Sequence, residues 1–141
     1  MKKILPILLA STLSFVALSA KEVDGYEVYK NNCKSCHMEN TTMKYVMAHF
    51  KELKAPPIME VSNQLKRIIH TTDDDDEVKR ELTIAWIMYY IENPSIDYSM
   101  CNGGAIDQFG IMPSLKGVLK EEEKRAVAEW LVDEFEDKEF K

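Results

Sequence analysis

The sequence predicts an all-α protein with one domain and four to five helices. Apolar residues recur at steps of three and four along several segments, and no segment shows the alternation of a strand. The chain also lacks internal repeats. Its apolar block at residues 82–91 follows a charged run, and ten residues suit a buried helix but are too few to span a bilayer.

The first residues predict export. Two lysines precede an apolar stretch, residues 4–17, which runs into small residues that end at Ala20. This layout is typical of a cleaved secretory signal over residues 1–20. An uncleaved membrane anchor is the alternative, but Pro6 and several hydroxyl residues interrupt the stretch. We therefore expect a periplasmic protein whose single domain covers residues 21–141.

The charge of the exported chain restricts its partners. Loss of the two signal lysines takes the formal charge from −6 to −8. Nucleic acids and anionic membranes are bound mainly through basic patches, so neither is expected as a partner, and no stable membrane insertion is expected after cleavage. Protein partners with basic docking faces are the prediction.

Three helices are predicted in the first half of the mature chain, at residues 22–32, 41–53 and 58–70. Pro56 and Pro57 separate the last two, because proline cannot donate to a helix and the residue before a proline avoids helical geometry. The residues expected on the inward faces are Gly25, Tyr26, Tyr29 and Cys33, then Met43, Val46, Met47 and Phe50, then Val61, Leu65, Ile68 and Ile69.

The second half contains a long and a final helix. Four carboxylates, Asp73–Asp76, precede the long helix and complement its dipole. A calcium loop is the alternative, but the run lacks the glycine and distal glutamate of an EF-hand. Asn93 and the following proline end this helix, and residues 95–117 are expected to form an irregular, functional loop. The final helix, 120–137, has Val127, Trp130, Leu131 and Phe135 on one face.

The segment that follows the first helix carries the chemistry. Cys33, Cys36 and His37 form a C-x-x-C-H motif, which in an exported chain is the attachment signature of c-type haem. Both thiols form thioether bonds to the haem vinyl groups, and the adjacent imidazole binds iron. We therefore predict one covalent haem c held by Cys33 and Cys36, with His37 as an iron ligand.

Other uses of these cysteines are less consistent with the sequence. A thioredoxin-type pair follows a strand, whereas this pair follows a helix. A zinc site needs a fourth ligand, and Cys101, His49 and His70 stand at spacings unlike paired zinc knuckles. A disulfide between Cys33 and Cys36 stays open, although it leaves His37 without a role.

Met112 is predicted as the second axial ligand, because methionine often pairs with histidine in cytochromes c. It lies in the long loop between Gly110 and Pro113, which can stiffen the backbone around a thioether. Met59 and Met100 are the alternatives. His49 and His70 are expected on a helix surface and at a helix end. Most remaining methionines are interpreted as core filler, namely Met43, Met47 and Met88.

These features together resemble the class I cytochromes c, small monohaem carriers, and the resemblance spans nearly the whole mature chain. In that family a glycine and an aromatic stand eight and four residues before the first cysteine and pack on the last helix. Gly25 and Tyr29 occupy those positions, and the resemblance implies Val127 and Trp130 as their partners.

The segments "APPIMEV", "FGIMPSLKG" and "AEWLVDEF" extend the resemblance to a subgroup of bacterial periplasmic monohaem cytochromes. It implies that a proline carbonyl accepts a hydrogen bond from the ligand histidine, with Pro56 as the expected carrier and Pro57 as the alternate. The chain departs from the family in its long segment before Pro56 and in a third cysteine. Cys101 is expected to be sheltered, with an intermolecular disulfide or a reactive thiol as alternatives.

The resemblance implies a function in electron transfer rather than catalysis. We expect a monomeric one-electron carrier that meets redox proteins through small, charge-complementary interfaces. An electron-entry subunit of a periplasmic redox complex is the alternative. A haem gas sensor is a third possibility, which requires that iron lacks its second protein ligand.

Overall fold

The computed structural model describes residues 22–72 and 75–141, and the regular secondary structure of this part of the chain is all helical, as predicted. None of its helices is long and apolar enough to cross a membrane. The predicted signal, residues 1–20, lies outside the described residues. The elements are α1 (Gly25–Asn32), α2 (Met43–His49), a 3-10 helix (Phe50–Glu52), α3 (Ile58–Ile68), α4 (Asp76–Glu92), α5 (Gly103–Phe109) and α6 (Glu121–Glu134).

The acidic run before α4 begins that helix. The side chain of Asp75 accepts hydrogen bonds from the amides of Glu77 and Val78 at 3.0 and 3.1 Å. It therefore satisfies two of the amides that the first turn leaves without partners. Asp73 and Asp74 lie outside the described residues.

The prediction of four to five helices, with an irregular segment over residues 95–117, was wrong. The described residues form six α-helices, and α5 lies inside that segment. The side chain of Asn102 accepts from the amide of Ala105 at 2.9 Å and caps α5, and Gly110, with a φ of 66°, ends it. Glycines that indicated a loop therefore stand at the two ends of a short helix, where their flexibility is useful.

One hydrophobic core joins α1, α3, α4 and α6, with α1 and α4 packed on α6. Helices α4 and α6 run antiparallel, since Arg80 pairs with Asp133 at one end and Glu92 pairs with Lys124 at the other. The buried apolar residues are Val28, Tyr29, Ala55, Ile58, Leu65, Ile84, Ile87, Ile91, Leu119, Val127, Ala128, Leu131 and Phe135.

Four inward assignments were wrong. Met43, Phe50 and Ile68 are exposed, and Met47 is 75% exposed. Helix α2 has only seven residues and none of them is buried, so its apolar stripe has no partner helix in the described chain. Met88 was expected to be core filler, and it is partly buried against the core.

Helices α1 and α6 approach each other closely at Gly25. A Cβ at this position would lie 2.1 Å from the carbonyl oxygen of Ala126 and 2.6 Å from Cβ of Trp130. The Tyr29 ring stacks on Trp130 with centroids 4.6 Å apart. The expected Gly25 and Tyr29 contacts with α6 are thus present, with Ala126 in place of Val127, which is buried in the core.

Candidate functional site: a haem attachment turn and a methionine loop

The C-x-x-C-H motif forms a single turn at the end of α1. The amide of His37 donates to the carbonyl of Cys33 at 2.9 Å, and the amide of Cys36 donates to the same carbonyl at 3.1 Å. Residues four apart in such a turn lie on one side of the chain. The turn therefore places the Cys33 thiol and the His37 imidazole on one side, with Cys36 next to them.

The His37 ring is oriented by a backbone carbonyl. Its Nδ1 lies 2.8 Å from the carbonyl oxygen of Pro56, and since a carbonyl only accepts, Nδ1 carries the proton. The other ring nitrogen, Nε2, is then the free base and has no hydrogen-bond partner among the described residues. This is the contact that the resemblance implied, with Pro56 as its carrier and not the alternate, Pro57.

A second contact fixes the backbone of the same residue. The buried Tyr29 hydroxyl donates to the carbonyl oxygen of His37 at 2.7 Å. Because Tyr29 also stacks on Trp130, it connects the motif directly to α6. The histidine is thus held at its ring and at its main chain by separate elements.

Burial favours the uncharged forms of the Cys33 thiol and the His37 imidazole. Desolvation raises the pKa of the Cys33 thiol from 9.0 to about 11, and the charge of Cys36 adds to this effect. Desolvation lowers the pKa of His37 below its ordinary value, although the bond to Pro56 acts in the opposite direction. A neutral imidazole is the form that binds a metal ion.

The loop that carries Met112 is fastened to the end of α4. The Ser114 hydroxyl donates to the carbonyl of Glu92 at 2.6 Å, and the amide of Leu115 donates to the carbonyl of Ile91 at 2.8 Å. These two bonds satisfy carbonyls that the last turn of α4 leaves free. Met112 is partly buried and packs against the core between this anchor and the end of α5.

The two alternative thioethers are also near the core. Met59 and Met100 are partly buried against it, so burial alone does not select among the three sulfurs. Met59 belongs to α3, and the Met100 carbonyl accepts a bond from the Gln64 side chain at 3.1 Å. Met100 and Met112 both lie on non-helical segments bonded to another helix, Met100 by one bond to α3 and the Met112 loop by two bonds to α4.

The remaining sulfur and imidazole groups are not assembled with the motif. Cys101 is exposed, so the expectation that it is sheltered was wrong; it lies in the turn just before α5, on the surface. His49 contacts Glu52 at 3.1 Å, and His70 is exposed. No disulfide joins Cys33 to Cys36. Within residues 22–72 and 75–141, no group of three His, Cys, Asp or Glu side chains could hold a metal ion.

The residues present fit a covalently attached haem. The two free thiols stand beside an imidazole whose Nε2 has no hydrogen-bond partner in the part of the chain that the structure describes, and a thioether lies on an anchored loop. The 3-10 helix and α5 also meet, with the rings of Phe50 and Phe109 5.2 Å apart, and neither element has a buried residue. Their apolar side chains are therefore available to cover a porphyrin.

Two functional contacts were missed from the sequence. The Tyr29 position was assigned only as an aromatic that packs, and nothing in the spacing distinguishes its hydroxyl from the plain ring of phenylalanine. The anchoring role of Ser114 was also missed. A serine directly after a proline in a glycine-bounded loop is a weak signal, because such hydroxyls often bond to nearby backbone.

Comparison with known proteins finds a relative in Aquifex aeolicus (strain VF5). It is described as an uncharacterized protein and is 37% identical over 122 residues, which cover 80% of this chain and 74% of the relative. The chain belongs to the same family as this Aquifex protein. No family model matches the chain, and no solved structure matches it. Members of this family thus share a long stretch of sequence, and the relative's description assigns no activity.

Proposed function

We propose that the chain is an exported monohaem c-type cytochrome that carries single electrons. In this proposal Cys33 and Cys36 hold the haem, and His37 and Met112 bind its iron from opposite sides. The observation that carries the proposal is the 2.8 Å hydrogen bond from His37 Nδ1 to the Pro56 carbonyl, directly beside the C-x-x-C-H turn. It gives the imidazole the tautomer that a metal ligand needs.

The protein residues prepare the histidine for this role. The Pro56 carbonyl holds the ring in one orientation and raises the basicity of Nε2. Tyr29 holds the main chain of His37 against α6, so a rotation of the motif would break a buried hydrogen bond. Such bonds around a ligating histidine limit the reorganisation that accompanies a change of charge at the metal.

The loop residues would do the same for the second ligand. Ser114 and Leu115 fix the chain two and three residues after Met112, and α5 fixes it before Gly110. The thioether is therefore presented from a segment held at both ends. The two bonds to α4 favour Met112 over Met100, whose segment has one bond to α3, and over Met59, which lies within α3.

The expected chemistry is one-electron exchange. A haem iron bound on both sides by protein groups exchanges single electrons, and methionine ligation raises its reduction potential relative to two histidines. The acidic surface favours redox partners with basic faces, which bind briefly and at rates that fall with added salt. We propose that the protein works in the periplasm as a monomeric carrier and not as an enzyme.

The ligand assignment is tested by the optical spectra of three variants, Met112→Ala, Met59→Ala and Met100→Ala, beside the unmodified protein. The charge-transfer band of a methionine-bound ferric haem should disappear in Met112→Ala and persist in the other two. Only Met112→Ala should bind carbon monoxide readily when reduced. An unchanged band in Met112→Ala would remove this residue from the site, and carbon monoxide binding by the unmodified protein would favour the gas sensor.

A second candidate function is an electron-entry subunit of a periplasmic redox complex. It is favoured by the exposed thiol of Cys101 and by a set of exposed apolar residues on α4, including Leu82 and Tyr89. Both are unusual for a carrier that only meets partners briefly. Size-exclusion chromatography of the native protein from its own cells separates the two functions, since a carrier elutes as a monomer and a subunit elutes within a larger assembly.

A further inference from the structure

Helix α4 has two apolar faces on opposite sides. One is buried against α6 and contains Thr83, Ile84, Ile87 and Ile91. At about 100° per residue, the opposite side contains four small or apolar residues within a sector of roughly 60°. They are Val78, Leu82, Ala85 and Tyr89, which are all exposed. A surface helix ordinarily has charged or polar residues on the side that faces water.

The loop after α4 extends this exposed set. The ring of Tyr98 packs edge-on against Tyr89 with centroids 5.2 Å apart. Val78, Leu82, Tyr89 and Tyr98 are between 45% and 52% exposed. We call Val78, Leu82, Ala85, Tyr89 and Tyr98 the α4 outer face. It is a continuous apolar strip along most of a 17-residue helix.

The spacing along the strip indicates the shape of its partner. Val78, Leu82, Ala85 and Tyr89 follow steps of four, three and four, which is the seam of a helix that packs lengthwise against another helix. A flat lipid surface does not require this spacing. The small Ala85, between larger residues, leaves room for a large side chain of the partner.

Charges around the strip indicate the chemistry of the partner. Asp75, Asp76 and Glu77 are exposed at its start, and Asp97 is exposed near its end. Two basic residues follow Val78 on α4. The Arg80 guanidinium is engaged with Asp133 and Glu81, and Lys79 forms no ion pair with these carboxylates among the described residues. The rim of the strip is therefore acidic at both ends.

A second copy of this chain fits the strip poorly. A parallel pair of α4 helices would bring the acidic starts together, and an antiparallel pair would bring each start towards the acidic end of the other. Like charges at such flanking positions oppose association. A helix with basic flanks instead complements the rim at either end.

We propose that the α4 outer face binds an amphipathic helix of another protein, with apolar residues at heptad spacing flanked by lysine or arginine. Binding would cover the strip along its length and pair the basic flanks with the carboxylates at its ends. The proposal goes beyond electron transfer and does not depend on haem, because every residue of the strip is held by the helical core alone.

The test uses two designed helical peptides and the full mature chain as purified from the exporting cells. Both peptides have leucine at the seam positions; one has lysine at the flanking positions and the other has glutamate. Affinities are measured by fluorescence anisotropy for the unmodified chain and for the double variant Leu82→Ser, Tyr89→Ser. The matched control is Val118→Ser, because Val118 is 60% exposed and lies outside α4.

The lysine peptide should bind the unmodified chain. Its affinity for the double variant should be at least about tenfold lower, and its affinity for the control should be within about twofold of that for the unmodified chain. The glutamate peptide should bind about tenfold more weakly than the lysine peptide, and added salt should reduce this difference. Far-UV circular dichroism checks the fold of the double variant. We expect it to be folded, because Leu82 and Tyr89 are both about half exposed.

Any of five results would overturn the proposal, and four of them concern the peptides and self-association. The first three are no binding of the lysine peptide, an equal loss of peptide affinity in the Val118→Ser control, and equal affinities for the two peptides. The fourth is a dimer of the unmodified chain, seen by sedimentation equilibrium, that is absent in the double variant. The fourth result would assign the face to a second copy. Binding to anionic lipid vesicles that depends on Leu82 and Tyr89, without peptide binding, would assign it to a membrane and also overturn the proposal.

Discussion

The contact between α1 and α6 makes a quantitative prediction for Gly25→Ala. The added Cβ would lie 2.1 Å from the Ala126 carbonyl oxygen and 2.6 Å from Trp130 Cβ, both far inside van der Waals contact. Two of the three nearest atoms belong to the α6 backbone, so the clash cannot be relieved by a side-chain rotation. The helices must separate, which disturbs the stacking of Tyr29 on Trp130.

The expected loss of stability follows from two opposing effects. Overpacking of this severity destabilises by about 3 kcal/mol, the upper end of the usual range. Replacing glycine by alanine reduces the freedom of the unfolded chain and offsets about 0.5–1 kcal/mol of this. The net loss is about 2 kcal/mol, which for a domain of this size lowers the Tm by about 6–10 °C.

The measurement is chemical and thermal unfolding of the mature chain, followed by far-UV circular dichroism. Gly103→Ala is the matched control, because Gly103 is also the first residue of a helix and its added Cβ would meet no atom within 4 Å. The control should be neutral or slightly stabilised. Equal stabilities of Gly25→Ala and Gly103→Ala would refute the close approach of α1 and α6.

Three further predictions concern single hydrogen bonds and ion pairs. Tyr29→Phe should lose about 1 kcal/mol of unfolding free energy, because the carbonyl of the motif histidine loses its donor; an unchanged denaturant midpoint would contradict this. A double-mutant cycle on Arg80 and Asp133, which are exposed and bonded twice at 2.7 Å, should give a coupling below about 1 kcal/mol that shrinks in high salt. Ser114→Ala should release the methionine loop from Glu92, lose about 0.5–1 kcal/mol and weaken the methionine band of the ferric spectrum, whereas an unaltered spectrum would show that the anchor does not position the sulfur.

Much of the helical framework could be predicted from spacing and from turn-forming residues. The start of α4 followed from its carboxylates, and the break before α3 followed from the two prolines, because both signals act locally on the backbone. Helix α2 itself ends at His49, earlier than the predicted residue 53. The close packing at Gly25 could be predicted only through the family resemblance. Spacing alone does not say which two helices meet.

The errors have a common physical cause. Met43 and Met47 have helical apolar spacing but are exposed, because spacing describes one face of a helix and not whether another element covers it. The same limit applies to Leu82 and Tyr89, where the sequence indicated a buried helix and the structure leaves one side open. Helix α5 was missed because Asn102 and its glycines suit a turn as well as a helix cap.

The candidate site was partly accessible from the sequence. The order of Cys33, Cys36 and His37 predicts an attachment turn without any tertiary information. The bond from His37 to Pro56 spans 19 residues and was expected only by analogy, since nothing local requires it. The anchoring of the Met112 loop depends on carbonyls at the end of α4, which become available only when both elements are in place.

The most direct test of the account is the intact mass and visible absorption of the denatured mature chain, produced in cells that attach c-type haem. We predict a coloured chain that retains the mass of one haem after denaturation, and a colourless chain for the double variant Cys33→Ala, Cys36→Ala. A colourless unmodified chain in which Cys33 and Cys36 both react with a thiol reagent would contradict the central claim.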